Sequence, residues 1–342
     1  RRLAGPIRDL LQEAETHIVR DSLAHGAGVA LLPASLWIGV SANDLVVPSL
    51  VRAARKLQRH VPEAYLDEME GIAEAAGVPY DAILLENVFL TLAEQPDPAS
   101  YFRLPVRCTN VVTLGEATSM GQVLHASTLD WGMGAVLKDR TVTLVHQPAV
   151  GAPFVSVTWP GMVGTLRAMG LQGIAVTEES CSAGDDSSLE GVPINLLLRD
   201  VVQHATGLED AVRRMTTAPG TCGYKVTISD GRALDARVVE VTASRHHVRR
   251  PVAGIVCGCD PEAPPNAFVG ARDPGIPAND GSSARRYPAL RERLATSRGR
   301  LRLRDLQAAL AARKGGVLNR DTLLACAFEP QLGRFHVARG TD

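Results

Sequence analysis

Lysine is scarce in this chain. Lys56, Lys138, Lys225 and Lys314 are the only four among 342 residues, and arginine carries the remaining positive charge. The formal net charge is −1. A chain so close to neutral has no field with which to gather a polyanion, so no nucleic acid and no anionic membrane is an expected partner. No apolar run approaches the roughly 20 residues that span a bilayer. There is no signal-peptide pattern, no internal repeat and no low-complexity segment. Cysteine pairs are also lacking. Of Cys108, Cys181, Cys222, Cys257, Cys259 and Cys326, only Cys257 and Cys259 are close. Cys-x-Cys without a second pair is a poor zinc spacing. Scattered cysteines in a chain this long suit a reducing, cytoplasmic setting, where most are small buried hydrophobes. His246-His247 and Asp185-Asp186 lack a second cluster at ligand spacing and read as surface residues. Gly161-Met162-Val163-Gly164 lacks the Lys and Ser/Thr of a phosphate loop and reads as a turn. No metal and no cofactor is expected.

What is present is an ordinary globular composition, 45% hydrophobic and 21% charged. Residues 1–107 read mainly as helix, with periodic stretches at 8–19, 46–60, 62–77 and 80–92 and an apolar segment at 27–40. From Cys108 the period turns towards two. Strand patterns cover 108–114, 122–130, 141–146, 154–159, 171–177, 224–229, 236–243, 247–257, 323–329 and 333–337. Between them, 193–215 reads as one long helix, 261–283 as a loop, and 284–296 and 303–312 as helices. Helix groups flanking two strand groups imply an α+β fold, a four-layer α-β-β-α sandwich. The chain divides into a helical segment, 1–107, and a core, 108–342.

The organising stretch is Arg107-Cys108-Thr109-Asn110 and the hairpin ending at Asp130-Trp131. If the turn 115–121 is symmetric, with Leu114 facing Gln122, Cys108 lies opposite Thr128. Asp130 then becomes the diagonal neighbour of Cys108 on the same sheet face. The plain alternative is a buried strand cysteine and a strand-end carboxylate.

This stretch resembles the cysteine-type N-terminal nucleophile hydrolases, above all the acyl-CoA:6-aminopenicillanic acid acyltransferase group. The Cys-Thr start, the Ser127-Thr128-Leu129-Asp130-Trp131 run, the helix-like Glu68–Val78 and the segment Trp159–Gly164 followed by Gly173–Val176 carry the likeness. The resemblance covers most of the chain from about Pro62. It implies self-cleavage between Arg107 and Cys108, with 1–107 retained as a subunit. Cys108 would then hold both a thiol and an α-amine, whose pKa near 7.7–8.0 lets it act as a base at neutral pH. Asp130 would orient that amine and thiol. Glu179, or Glu178 if the strand shifts, stands where the family's oxyanion-binding asparagine is expected, and an ionised carboxylate cannot donate a hydrogen bond. The asparagine-histidine pair expected near Cys257–Asp260 is also absent, and the bile-salt amidases' Arg-Asn is Ser127-Thr128. Ser283 and Arg286 match a Ser-x-x-Arg-Tyr helix start, with Ser283 the N-cap and Arg286 reaching the cysteine or a substrate carboxylate. Thr128, Trp131, Trp159 and Ser283 are the expected substrate-binding residues.

The function so implied is a cysteine amidase or acyltransferase. Its substrate is a small acyl amide, or a coenzyme A or carrier thioester, and homo-oligomerisation is left open. The alternatives are a biosynthetic carrier-thioester acyltransferase or cyclase, and a non-catalytic scaffold that kept the fold.

Overall fold

The computed structural model describes residues 2–25, 42–95, 106–132, 134–181, 186–258, 282–315 and 317–340. It opens on four helices: α1 (Ala4–His25), α2 (Ala42–Gln58), α3 (Glu63–Ala76) and α4 (Tyr80–Ala93). Pro62 and Pro79 stand just before α3 and α4, where a missing backbone N–H removes no helical bond. Gly77 closes α3 in the left-handed region, with φ 67°. Tyr65, Met69, Ala73 and Ala76 recur at three- and four-residue spacing and form the buried stripe of α3. The apolar segment 27–40 lies outside the described residues.

The rest of the chain builds two antiparallel sheets. In order come β1 (Val106–Gly115), β2 (Gly121–Trp131), α5 (Gly134–Leu137), β3 (Val142–His146), β4 (Phe154–Thr158), β5 (Arg167–Gly170) and β6 (Ile174–Ser180). Then follow α6 (Ile194–His204), α7 (Leu208–Thr217), β7 (Tyr224–Asp230), β8 (Asp235–Val241), β9 (His246–Arg249) and β10 (Ile255–Cys257). The chain closes with α8 (Ser282–Thr296), α9 (Leu303–Leu310), β11 (Thr322–Glu329) and β12 (Arg334–Arg339). One sheet has the order β10-β1-β2-β11-β12, and the other runs β3 to β9 in sequence.

Helices α8 and α9 cover the outer face of the five-stranded sheet, where Leu290, Leu294, Leu306 and Leu310 pack on Val111, Leu124 and Ala126. Helices α6 and α7 cover the outer face of the seven-stranded sheet. The inner faces meet directly. His125 of β2 bonds to Ser229 of β7 at 2.9 Å and to Thr177 of β6 at 2.8 Å. The layers are therefore α-β-β-α, as expected.

The N-terminal helices share this core. Leu57, Met69, Ile83 and Val88 belong to the same cluster as Leu197, Val201 and Val226. Asn87 of α4 pins the turn after β4. Its amide donates to the Gly161 carbonyl at 3.0 Å, and its Oδ1 accepts from the Val163 N–H at 2.7 Å. The turn expected at 161–164 is thus real and is held from outside.

Three local expectations are corrected. The helix expected over 193–215 is two, because Ala205 is extended and a new helix starts at Leu208. The Asp230 carboxylate accepts from the Leu208 N–H at 3.0 Å, and Asp210 from the Thr206 N–H at 3.0 Å, which satisfies backbone donors at the second start. The strand expected over 247–257 changes sheets, since Pro251 and a turn at Ala253-Gly254 separate β9 from β10. The strand expected over 171–177 is the second arm of a hairpin around Gly173, and its first arm, β5, was not foreseen. The loop expected over 261–283 lies largely outside the described residues. Among the described residues no helix is long and apolar enough to cross a membrane, and no cluster of His, Cys, Asp or Glu is disposed to hold a metal.

Candidate active site

The β1–β2 hairpin does not hold the symmetric register. Gly115 pairs with Gly121 as a symmetric turn requires, but Thr113 pairs with Leu124. One extra residue on β2 makes a bulge, which shifts the pairing beyond it by one. Cys108 therefore lies opposite Leu129, Thr109 opposite Thr128, and Arg107 opposite Asp130. Since strand side chains alternate, the slip puts Cys108 and Asp130 on opposite faces of the sheet. The expectation that the Cys108 thiol and the Asp130 carboxylate share a face is corrected accordingly.

Cys108 is fully buried, between the sheets. The Arg167 side chain, from β5, is also fully buried and acts on the thiol across the gap. Its Nε donates to Ser127 Oγ at 3.1 Å, and its Nη2 to the carbonyls of Thr128 at 2.9 Å and Glu178 at 3.1 Å. Its Nη1 lies 3.9 Å from Glu178 Oε2. Burial pushes the Cys108 thiol far up, Arg167 opposes this, and Glu178, Asp130 and Glu179 add to it. Burial also lifts the Glu178 carboxyl to about 7 against the pull of Arg167.

Glu179 pairs with Lys225 in the β6–β7 ladder and shares the inner face with Thr177. Burial raises its carboxyl, with Lys225 the foremost opposing charge. A Cβ placed on Gly258 would lie 2.5 Å from Glu179 Oε2 and 3.2 Å from Asn110 Cβ. Glu179, Asn110 and Gly258 thus converge on one space between the sheets.

The helix side of the same strands holds a second group. Asp130 accepts from Asn319 Nδ2 at 2.9 Å and from the Thr322 hydroxyl. Burial raises its carboxyl, while these bonds and the charge of Arg286 work the other way. Arg286, buried at the start of α8, donates to the Cys108 carbonyl and to Thr109 Oγ1. Arg286 therefore reaches the cysteine, through its main chain. The Thr128 hydroxyl, on this same face, has no partner. Helix α8 begins at Ser282, which places Ser283 in its first turn instead of at the cap, and its side chain lies outside the described residues.

The two tryptophans adjoin the other side of the site. Trp131 stacks on Phe89 at 6.2 Å and meets Trp159 edge-on at 5.8 Å. Trp159 Nε1 donates to the Leu137 carbonyl at 3.1 Å. Both are buried, so they form a wall. Asp186, read as a surface residue, instead ties its loop to the β8–β9 turn through Thr242, Ser244 and Arg245.

Eight buried polar atoms in this neighbourhood make no hydrogen bond among the described residues: Asn110 Oδ1 and Nδ2, Thr128 Oγ1, Asp130 Oδ1, Trp131 Nε1, Arg167 Nη1, Glu178 Oε2 and Glu179 Oε2. Of these, Asn110 and Arg167 share the inner space with the Cys108 thiol, whereas Thr128 and Asp130 lie on the helix side of the same sheet. Sequence reasoning missed Arg167 and Asn110. Asn110 carried a signal, since it alternates with Cys108 on one strand. Arg167 carried none, because its strand was not foreseen.

Residues 120–258 match the family described as acyl-coenzyme A:6-aminopenicillanic acid acyl-transferase. The match includes Asp130 and Glu179 but begins after Cys108. An uncharacterized protein of Archaeoglobus fulgidus is 30% identical over 234 residues, covering 63% of this chain and 39% of its own length. The acid ceramidase of Mus musculus is 25% identical over 179 residues, covering 46% of this chain and 42% of its own. The chain thus spans well under two thirds of these relatives. The N-acylethanolamine-hydrolyzing acid amidase ortholog of Caenorhabditis elegans has a similar structure. Its TM-score is 0.52 at 15% identity, over 66% of this chain and 93% of that one.

Proposed function

From a fold shared with N-terminal nucleophile hydrolases and an acyl-transferase family segment at 120–258, we propose that this chain is a cysteine amidase or acyltransferase. Cys108 is its nucleophile. The observation that carries the reading is one buried thiol, Cys108, with the buried Arg167 guanidinium facing it and the unbonded Asn110 carboxamide on its own sheet face.

The site is made by cleavage of the Arg107–Cys108 bond. The Cys108 thiol attacks the Arg107 carbonyl carbon, the bond to the Cys108 nitrogen breaks, and that nitrogen leaves as a free amine. Water then hydrolyses the Arg107 thioester. The segment 1–107 stays bound, because α4 shares a core with α6 and pins 161–164.

In turnover the α-amine of Cys108 takes the thiol proton as sulfur attacks an amide or thioester carbonyl. The departing amine or thiol receives that proton. Water or an acceptor amine then attacks the acyl-thioester, passes its own proton to the α-amine, and releases Cys108. Asp130 serves the amine instead of the thiol, since it lies opposite Arg107, next to the nitrogen that cleavage frees. Arg167 serves the sulfur, where its charge favours the thiolate.

Mass spectrometry of the purified chain tests this. The expected masses are those of 1–107 and 108–342, and Cys108→Ala should stay as one chain. Cleavage of Cys108→Ala at the same bond would point to a host protease. An intact, unreactive wild-type chain would leave the scaffold reading in place.

A further inference from the structure

We propose that the Asn110 carboxamide donates the hydrogen bond that holds the developing oxyanion at Cys108. This rests on Cys108 being the acyl-accepting nucleophile. Asn110 is fully buried, yet neither its Nδ2 nor its Oδ1 has a partner among the described residues. A buried amide with both ends unpaired is rare. The other two buried asparagines among the described residues are committed to the scaffold. Asn87 Nδ2 donates to the carbonyls of Ile83 and Gly161, and Asn195 Nδ2 to that of Asn87.

The placement suits the role. Asn110 follows Cys108 by two residues on β1, so both side chains leave the same face, with their Cα atoms roughly 6.6 Å apart. An acyl carbon bound to the sulfur then carries its oxygen towards the carboxamide. The space is kept open by Gly258, where a Cβ would stand 3.5 Å from Asn110 Nδ2. The donors divide the work. Arg167 spends its Nε and Nη2 on Ser127, Thr128 and Glu178 and its charge acts on the sulfur, while Asn110 stands on the nucleophile's own strand with its carboxamide unbonded. In the step itself, a bond forms between Cys108 sulfur and the carbonyl carbon. The C=O π pair moves onto oxygen, and Nδ2–H donates to it. When that pair returns, the bond to the leaving amine or thiol breaks.

The test compares two reactions of Cys108 in the full chain, both followed by intact mass and normalised to the processed fraction. Acylation by p-nitrophenyl hexanoate passes through an oxyanion, whereas alkylation by iodoacetamide does not. Asn110→Ala should slow acylation by about 10²–10³-fold, the usual effect of removing one oxyanion donor, and leave alkylation within about twofold. Asn110→Asp, which keeps the shape and removes the neutral donor, should show the same split. Unchanged acylation in either variant overturns the proposal. So does an equal fall in both reactions, which would place Asn110 in support of the thiol or the fold. A wild-type chain that is alkylated but never acylated at Cys108 overturns the nucleophile reading itself, and this proposal with it.

Discussion

At Asp130, a single added residue in the hairpin decides what the carboxylate can do. The bulge between Thr113 and Gly115 turns Asp130 away from the thiol and sets it opposite Arg107. Its partners Asn319 and Thr322 hold it there, and its Oδ1 remains unpaired. Asp130→Asn keeps the shape and can still accept from Asn319. On the proposed reading it loses the charge that pairs with the freed Cys108 amine. We expect turnover to fall by about 10²–10⁴-fold, the range of a lost acid–base partner, with a melting temperature close to wild type. Steady-state kinetics and a thermal melt check this. Near-normal rates would remove Asp130 from the site.

At the level of elements, the turn after β4 is clamped between helices α4 and α6. Asn87 bonds three of its backbone groups, and the Thr165 N–H donates to the Asn195 carbonyl at 2.9 Å. Gly164 leaves no room for a side chain, since a Cβ there would stand 2.8 Å from the Asn195 carbonyl carbon. Main chain cannot rotate aside as a side chain can. Gly164→Ala should therefore cost about 1–3 kcal/mol, the range for overpacking a tight contact. A lowered denaturant midpoint at unchanged slope would show it. No change would mean that α6 moves freely relative to the turn.

For the whole molecule, the buried acids make stability depend on pH. In the folded chain Glu178 is lifted from 4.5 to about 7 by burial, and Glu94 to about 8 by burial and by the nearby Glu178. The unfolded chain releases these protons near 4.5, while the folded chain holds them. Their contribution is complete below about pH 4.5 and is lost as pH rises through about 7 to 8. Burial lowers His125 to about 3, which has the opposite sense: its contribution is present above about 6.5 and is lost on acidification. Glu178→Gln should flatten the fall of melting temperature between about pH 5 and pH 8. A variant whose profile overlays the wild type would mean that Glu178 ionises freely in the fold.

The local layers of this architecture were written in the chain. Helical spacing, the prolines before α3 and α4, and the change to period two at Cys108 determine which segments are helix and which are strand, because those signals act over one or two turns. Cys108, Asp130, Glu179 and Arg286 could be named singly because the short runs around them resemble those of a known family. Which of them meet was decided elsewhere. The hairpin bulge is a property of two strands pairing, and it reversed the face on which Asp130 lies. The sheet switch after Arg249 depends on Glu240 and on the carbonyls of Cys257 and Gly258, which its guanidinium joins. Arg167 reaches Cys108 only because two sheets stack with their inner faces in contact, and no sequence period records which side chains meet across that gap. Burial, which raises the acids and strips Asn110 of partners, is likewise a product of the stacked layers.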